Sequence, residues 1–177
     1  FGEIMIVPSV AVHSVIEVKT NISSKTFQDT LSAFRTLNQL HVNDMYLFLH
    51  DGPCIRTIHN YFFPKGNSNE FDSIHIGEPL YDNGDEYRLP TAILNLKRNY
   101  YLKQDFTPDG MFGYLAYESE SKDGKPIACL QVFVQSILHL LYPSSEDDKE
   151  FPVFENNISE LENVELKQIE GFTLFRR

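Results

Sequence analysis

Glu17 and Lys19 are the residues whose types and spacing point most directly to chemistry. They close the run Val15-Ile16-Glu17-Val18-Lys19-Thr20. Two residues apart on a strand, they project from one face, about 6–7 Å from each other. A carboxylate in that position suits a hard divalent cation such as Mg²⁺ or Mn²⁺. An ammonium beside it can orient an attacking water or neutralise charge developing on phosphorus. The pair is therefore half of what metal-assisted hydrolysis of a phosphodiester requires. The plainer reading is an ion pair at a sheet edge, contributing ~0–1 kcal/mol. Glu-x-Lys alone does not separate the two, so the surrounding elements have to.

Ala11 to Thr20 reads as a strand, and its nearly continuous apolar character predicts a central position. Glu3 to Val7 is a second β-prone run, and Pro8-Ser9 between the two suits a hairpin. After the motif, Ser23 or Ser24 can cap a helix. Phe27, Leu31, Phe34 and Leu37 then recur at helical spacing, which predicts an amphipathic helix over 24–40. Met45 to His50 is a further buried strand, ended by Asp51-Gly52-Pro53. Ile55 to Phe63 fits helix or strand equally.

Lys65 to Arg88 is rich in Gly, Asn and acids and predicts a long surface excursion, with a short strand at Ser73–Ile76. Thr91–Leu96 and Asn99–Lys103 read as a strand pair joined near Lys97-Arg98. Met111–Tyr117 reads as another strand, followed by a turn at Lys122–Lys125. Ile127–Tyr142 predicts a second helix, apolar enough around its circumference to pack on two sides. The fold class is α/β, a mixed central β-sheet with flanking helices. The expected division is one domain over 1–142 and an acidic C-terminal extension over 143–177, whose end, Ser159 to Arg177, docks as a helix or a strand.

Composition narrows the functions. The chain carries 25 acids against 15 bases, a net charge of −10. Residues 66–89 hold six acids and one base, and residues 143–177 nine acids and four bases, whereas residues 1–65 balance five against five. The motif region is thus neutral. The acidity argues against a non-specific basic coat but not against a nuclease, whose own site is acidic until a metal offsets it. Cys54 and Cys129 lie in no CxxC or Cys/His cluster, and reduced thiols of this kind fit a cytoplasmic protein. No apolar run reaches the ~20 residues of a membrane span. The six histidines form no HxH or HExxH pair, and neither a GxSxG elbow nor a phosphate-binding glycine loop occurs. The chain opens on Phe1 with no signal-peptide pattern, so its natural start is expected upstream.

The segment Val7-Pro8-Ser9-Val10-Ala11-Val12-His13-Ser14-Val15-Ile16-Glu17-Val18-Lys19-Thr20, followed by a helix and a strand, resembles the PD-(D/E)xK nuclease superfamily. It is closest to an uncharacterised bacterial domain family with a VIEVK(T/S) motif. Leu89-Pro90-Thr91-Ala92-Ile93 and the helix around Gln131–Leu141 are similar in the same way. The specific part covers about 30 residues. The resemblance implies a restriction-endonuclease-like core and Mg²⁺- or Mn²⁺-dependent cleavage of DNA or RNA, with Glu17 as metal ligand and Lys19 positioning the water.

The resemblance also implies an acidic residue on the strand ahead of the motif. In that family it lies further upstream than Phe1, and Glu3 is the one acid here that precedes Glu17. Three readings stay open: the acid lies upstream, Glu3 replaces it, or the site is incomplete. Paired opposite residue 15, Glu3 shares a face with Glu17; opposite residue 16 it points away. Gln28 and Lys25 on the following helix, and His13 at even offset on the motif strand, are candidate accessories. The alternative function is a catalytically inactive nuclease fold serving as a binding module, with a homodimer or a protein partner at the acidic segments.

Overall fold

The computed structural model describes residues 11–42, 44–63, 88–106, 111–119, 127–141 and 166–176. They form an α/β fold around a mixed six-stranded sheet. The strands follow chain order across it: β1 (Ser14–Lys19), β2 (Asp44–Leu49), β3 (Ala92–Asn95), β4 (Tyr100–Phe106), β5 (Met111–Ser119) and β6 (Leu166–Arg176). The first three are parallel; β4, β5 and β6 each run antiparallel to their predecessor. Helices α1 (Ser24–Gln39) and α2 (Ile55–Phe62) belong to the two parallel crossovers, and α3 (Ile127–Leu141) follows β5.

The parallel strands need long connections, and α1 and α2 supply them on one face. Ser23 caps α1: the Thr26 backbone N–H donates to Ser23 Oγ at 3.3 Å, and the Ser23 N–H donates back to Thr26 Oγ1 at 2.8 Å. Its buried stripe is Phe27, Thr30, Leu31 and Phe34, one face at 3.6-residue period. The ambiguous segment is helical, because Ile58 and Phe62, four residues apart, reach the same core. Phe27 and Phe62 meet edge to face with centroids 4.9 Å apart, over Leu47 and Leu49 of β2.

The opposite face is covered by α3. Tyr46, Leu94 and Tyr101 pack there against Cys129 and Phe133, and the Tyr101 hydroxyl lies 2.9 Å from Ser136 Oγ. The helix lies over β3, β4 and β5, and Val134 is 43% exposed on it.

Two expectations concern the ends of the sheet. Among the described residues β1 is the edge of the sheet, not a central strand, and it is shorter than predicted. Ile16 and Val18 stay 44% and 63% exposed although they register with Tyr46 and Phe48. An apolar run here marks a strand without marking its place. The end of the chain is a strand, β6, paired along β5, so part of the stretch after residue 142 completes the same sheet. Gly171 permits this: a Cβ there would lie 2.0 Å from the Tyr114 carbonyl oxygen, beside a register shift between the strands. The run Glu3–Val7, the excursion over 65–87 and the turn at Lys122–Lys125 lie outside the described residues.

Candidate functional site

The parallel strands β1, β2 and β3 end together, and their ends are tied by backbone bonds. The His50 N–H donates to the Lys19 carbonyl at 2.9 Å, and the Lys97 N–H donates to the His50 carbonyl at 3.0 Å. Open α/β sheets bind their ligands outside the carboxyl ends of such strands.

Glu17 and Lys19 sit on this end of β1. They register with Leu47 and Leu49, so they face the side covered by α1 and α2. Lys19 Nζ lies 2.5 Å from Glu17 Oε1, with both side chains about one-third exposed (33% and 39%). The pair stands where the buried core gives way to solvent. On β1 the charged residues thus face the helix side and the apolar Ile16 and Val18 face outward, the reverse of ordinary edge-strand patterning.

The other candidates take these places. The Gln28 side-chain amide donates to the Tyr61 carbonyl and ties α1 to α2. Lys25 is exposed on the first turn of α1, and His13 is exposed just before β1. Glu3 lies outside the described residues. Among the described residues no group of three or more His, Cys, Asp or Glu side chains converges as a ready metal cage. One half-exposed carboxylate, Glu17, fits a magnesium ion that keeps most of its waters and takes one or two protein carboxylates.

Comparison of the chain with protein-family models, curated proteins and solved structures gave no significant match. The site is therefore read from its own geometry.

Beside the pair, the β2–α2 connection and the β3–β4 turn form a corner that sequence reasoning missed. Asn95, fully buried at the end of β3, donates from Nδ2 to the Pro53 carbonyl at 3.2 Å. Its Oδ1 accepts the Arg98 backbone N–H at 3.2 Å. The Tyr100 hydroxyl donates to the same Pro53 carbonyl at 2.9 Å, and burial pushes that phenol well above its ordinary range. Arg98 Nε donates to the Gly52 carbonyl at 2.9 Å. A Cβ on Gly52 would come within 2.7 Å of Asn95 Nδ2 and of Leu49 Cδ1, so a larger residue would have to displace these side chains.

At the rim of this corner Lys97 Nζ lies 2.5 Å from Asp51 Oδ2, which holds the Asp51 carboxyl below the usual range. Cys54, the first residue before α2, has its thiol lowered chiefly by Thr57, whose hydroxyl is 3.2 Å from Sγ. The signal that could have pointed here is the pairing of Asp51-Gly52-Pro53 with Asn95 through Arg98, each at the end of a predicted strand.

Proposed function

We infer that the protein is a metal-dependent nuclease that hydrolyses phosphodiester bonds of DNA or RNA on a restriction-endonuclease-like core. The observation that carries this is the Glu17–Lys19 pair. An acid and a base lie side by side, partly exposed, on one face of the carboxyl end of a parallel strand, with a capped helix directly behind. The resemblance to the PD-(D/E)xK superfamily supports the same reading.

In this reading Glu17 would hold Mg²⁺ or Mn²⁺, with Glu3 or an upstream acid as the second ligand. The ion, when bound, supplies a water of lowered pKa and polarises a non-bridging phosphate oxygen. Lys19 does the protein's own part: its ammonium holds the attacking water in line and counters the negative charge that grows on the phosphate oxygens. The Glu17 carboxylate fixes the position of that ammonium, and the packing of Leu47 and Leu49 beside them keeps water off one flank.

The test is nicking of plasmid DNA and cleavage of RNA by the full-length protein with Mg²⁺ or Mn²⁺. Lys19→Ala is expected to lower the rate by about 10²–10³-fold while circular dichroism and the melting midpoint stay as in wild type. Absence of both metal binding by calorimetry and cleavage would overturn the reading. A second reading, a nuclease fold that binds without cutting, is favoured by one feature: Glu17 and Lys19 neutralise each other on an edge strand, where inward-pointing charges also guard against strand addition. It predicts nucleic-acid or protein binding that is indifferent to metal.

A further inference from the structure

The chain is acidic overall, yet the β3–β4 turn carries two adjacent bases at the end of the sheet where Glu17 and Lys19 lie. Lys19, His50 and Lys97 succeed one another on three hydrogen-bonded segments. Lys19 and Lys97 are therefore two strand widths apart, about 9–10 Å. That is roughly the rise of three nucleotides of one strand at about 3.4 Å each. Arg98 follows Lys97 and is exposed but not loose. Its Nε is bonded to the Gly52 carbonyl and its backbone N–H to buried Asn95. Among the described residues no other group takes a side-chain bond from this guanidinium, so its terminal N–H groups remain on offer. A guanidinium held by one nitrogen loses little further freedom when its fork takes a phosphate.

Resting on the nuclease reading for the identity of the ligand, we propose that Lys97 and Arg98 grip the phosphodiester backbone of the substrate strand beside the Glu17–Lys19 pair, and that Asp51 restrains Lys97 until a phosphate replaces it. The spacing favours phosphate over an acidic peptide: Lys19 and Lys97 stand about three nucleotide rises apart along the strand ends, and the held guanidinium of Arg98 can take two oxygens of one phosphate. The Lys97–Asp51 pair is an exposed one, with side chains 64% and 41% accessible. Such a pair is cheaply exchanged for another anion.

The experiment is fluorescence anisotropy of a labelled DNA duplex, and of an RNA of the same sequence, across a salt series in EDTA, so that binding is read without cleavage. Arg98→Ala is expected to weaken binding and to lower the slope of log K against log salt by about 0.9, the share of one phosphate. Arg98→Gln, which keeps a donor for the Gly52 carbonyl, is expected to do the same; this separates lost charge from a disturbed corner. Asp51→Asn is expected to tighten binding. Lys103→Ala, an exposed base that registers with Ala92 at the other end of the sheet, serves as the control and leaves the slope unchanged.

Equal slopes for Arg98→Ala and Lys103→Ala, weaker binding by Asp51→Asn, displacement of the duplex by poly-glutamate at matched charge, or no nucleic-acid binding by wild type would each overturn the proposal. Unaltered slopes with intact metal-dependent cleavage would sink this grip alone. Altered slopes in a protein that never cuts would sink the nuclease reading alone.

Discussion

The antiparallel half of the sheet and the corner where its parallel strands end are held by different means. Between β4, β5 and β6 cohesion comes from ladder bonds and dry aromatic contacts. Tyr114 packs on Phe62 and Phe172, with centroids 5.3 Å and 5.4 Å away, and its hydroxyl donates to the Pro90 carbonyl at 2.6 Å. At the corner, where Leu49 and Tyr100 close the same apolar core, directional polar bonds are added. Order there comes from one buried amide, Asn95, and the carbonyls of Gly52 and Pro53. Apolar packing is non-directional and tolerates small shifts, whereas a hydrogen bond specifies direction and distance. The first suits a scaffold. The second suits a place where side chains such as Arg98 have to point one way.

The sharpest way to break the scaffold side is Gly171→Ala. The new methyl would fall on the Tyr114 carbonyl, a rigid neighbour that cannot rotate away. Separating β6 from β5 at this point is expected to cost about 3 kcal/mol. Urea unfolding followed by circular dichroism checks this, and a loss under half that size would mean that the β5–β6 contact is looser than the geometry requires.

Asn95→Ala is the corresponding change at the corner. It removes the acceptor of the Arg98 N–H and one of two donors to the Pro53 carbonyl, in a fully buried position. A loss of about 2 kcal/mol is expected. Unlike Gly171→Ala, it is also expected to speed hydrogen exchange at Arg98 selectively, since the turn would lose its anchor while the sheet keeps its ladders. A uniform rise in exchange across all strands would erase the contrast between the two regions.

These regions also differ in how far the sequence revealed them. The periodicity of Phe27, Leu31 and Phe34 with Ser23 ahead of them was enough to predict α1, because a helix is a local structure whose cap and stripe lie within one window. The strand pair at Lys97-Arg98 was legible for the same reason. The place of β1 at the edge among the described residues was not: Ile16 and Val18 are apolar in a way that fits a buried strand, yet they are exposed. The eight residues of α2 are too few for periodicity to choose helix over strand. The corner was hidden because its partners are distant in sequence: Asp51-Gly52-Pro53 looked like ordinary turn chemistry until Asn95 and Arg98 met it. Of the site, the face shared by Glu17 and Lys19 followed from strand geometry, while the placement of Gln28 on the Tyr61 carbonyl depended on tertiary packing.

The smallest of the expected effects tests whether the corner is one unit. Tyr100→Phe removes the hydroxyl, with its bond to the Pro53 carbonyl and its contact with the Asn95 side chain, while the ring keeps its place in the core. By itself it is expected to cost about 1 kcal/mol, since Asn95 Nδ2 still donates to the same oxygen. Combined with Asn95→Ala, the partly buried carbonyl loses both donors. The double variant should therefore fall short of wild type by more than the two single losses together, with an excess of about 1 kcal/mol. Denaturant midpoints of the four proteins at constant m give that excess directly. Strict additivity would mean that Asn95 and Tyr100 stabilise the chain separately, and that Arg98 is aimed by its own bond to Gly52 rather than by a shared frame.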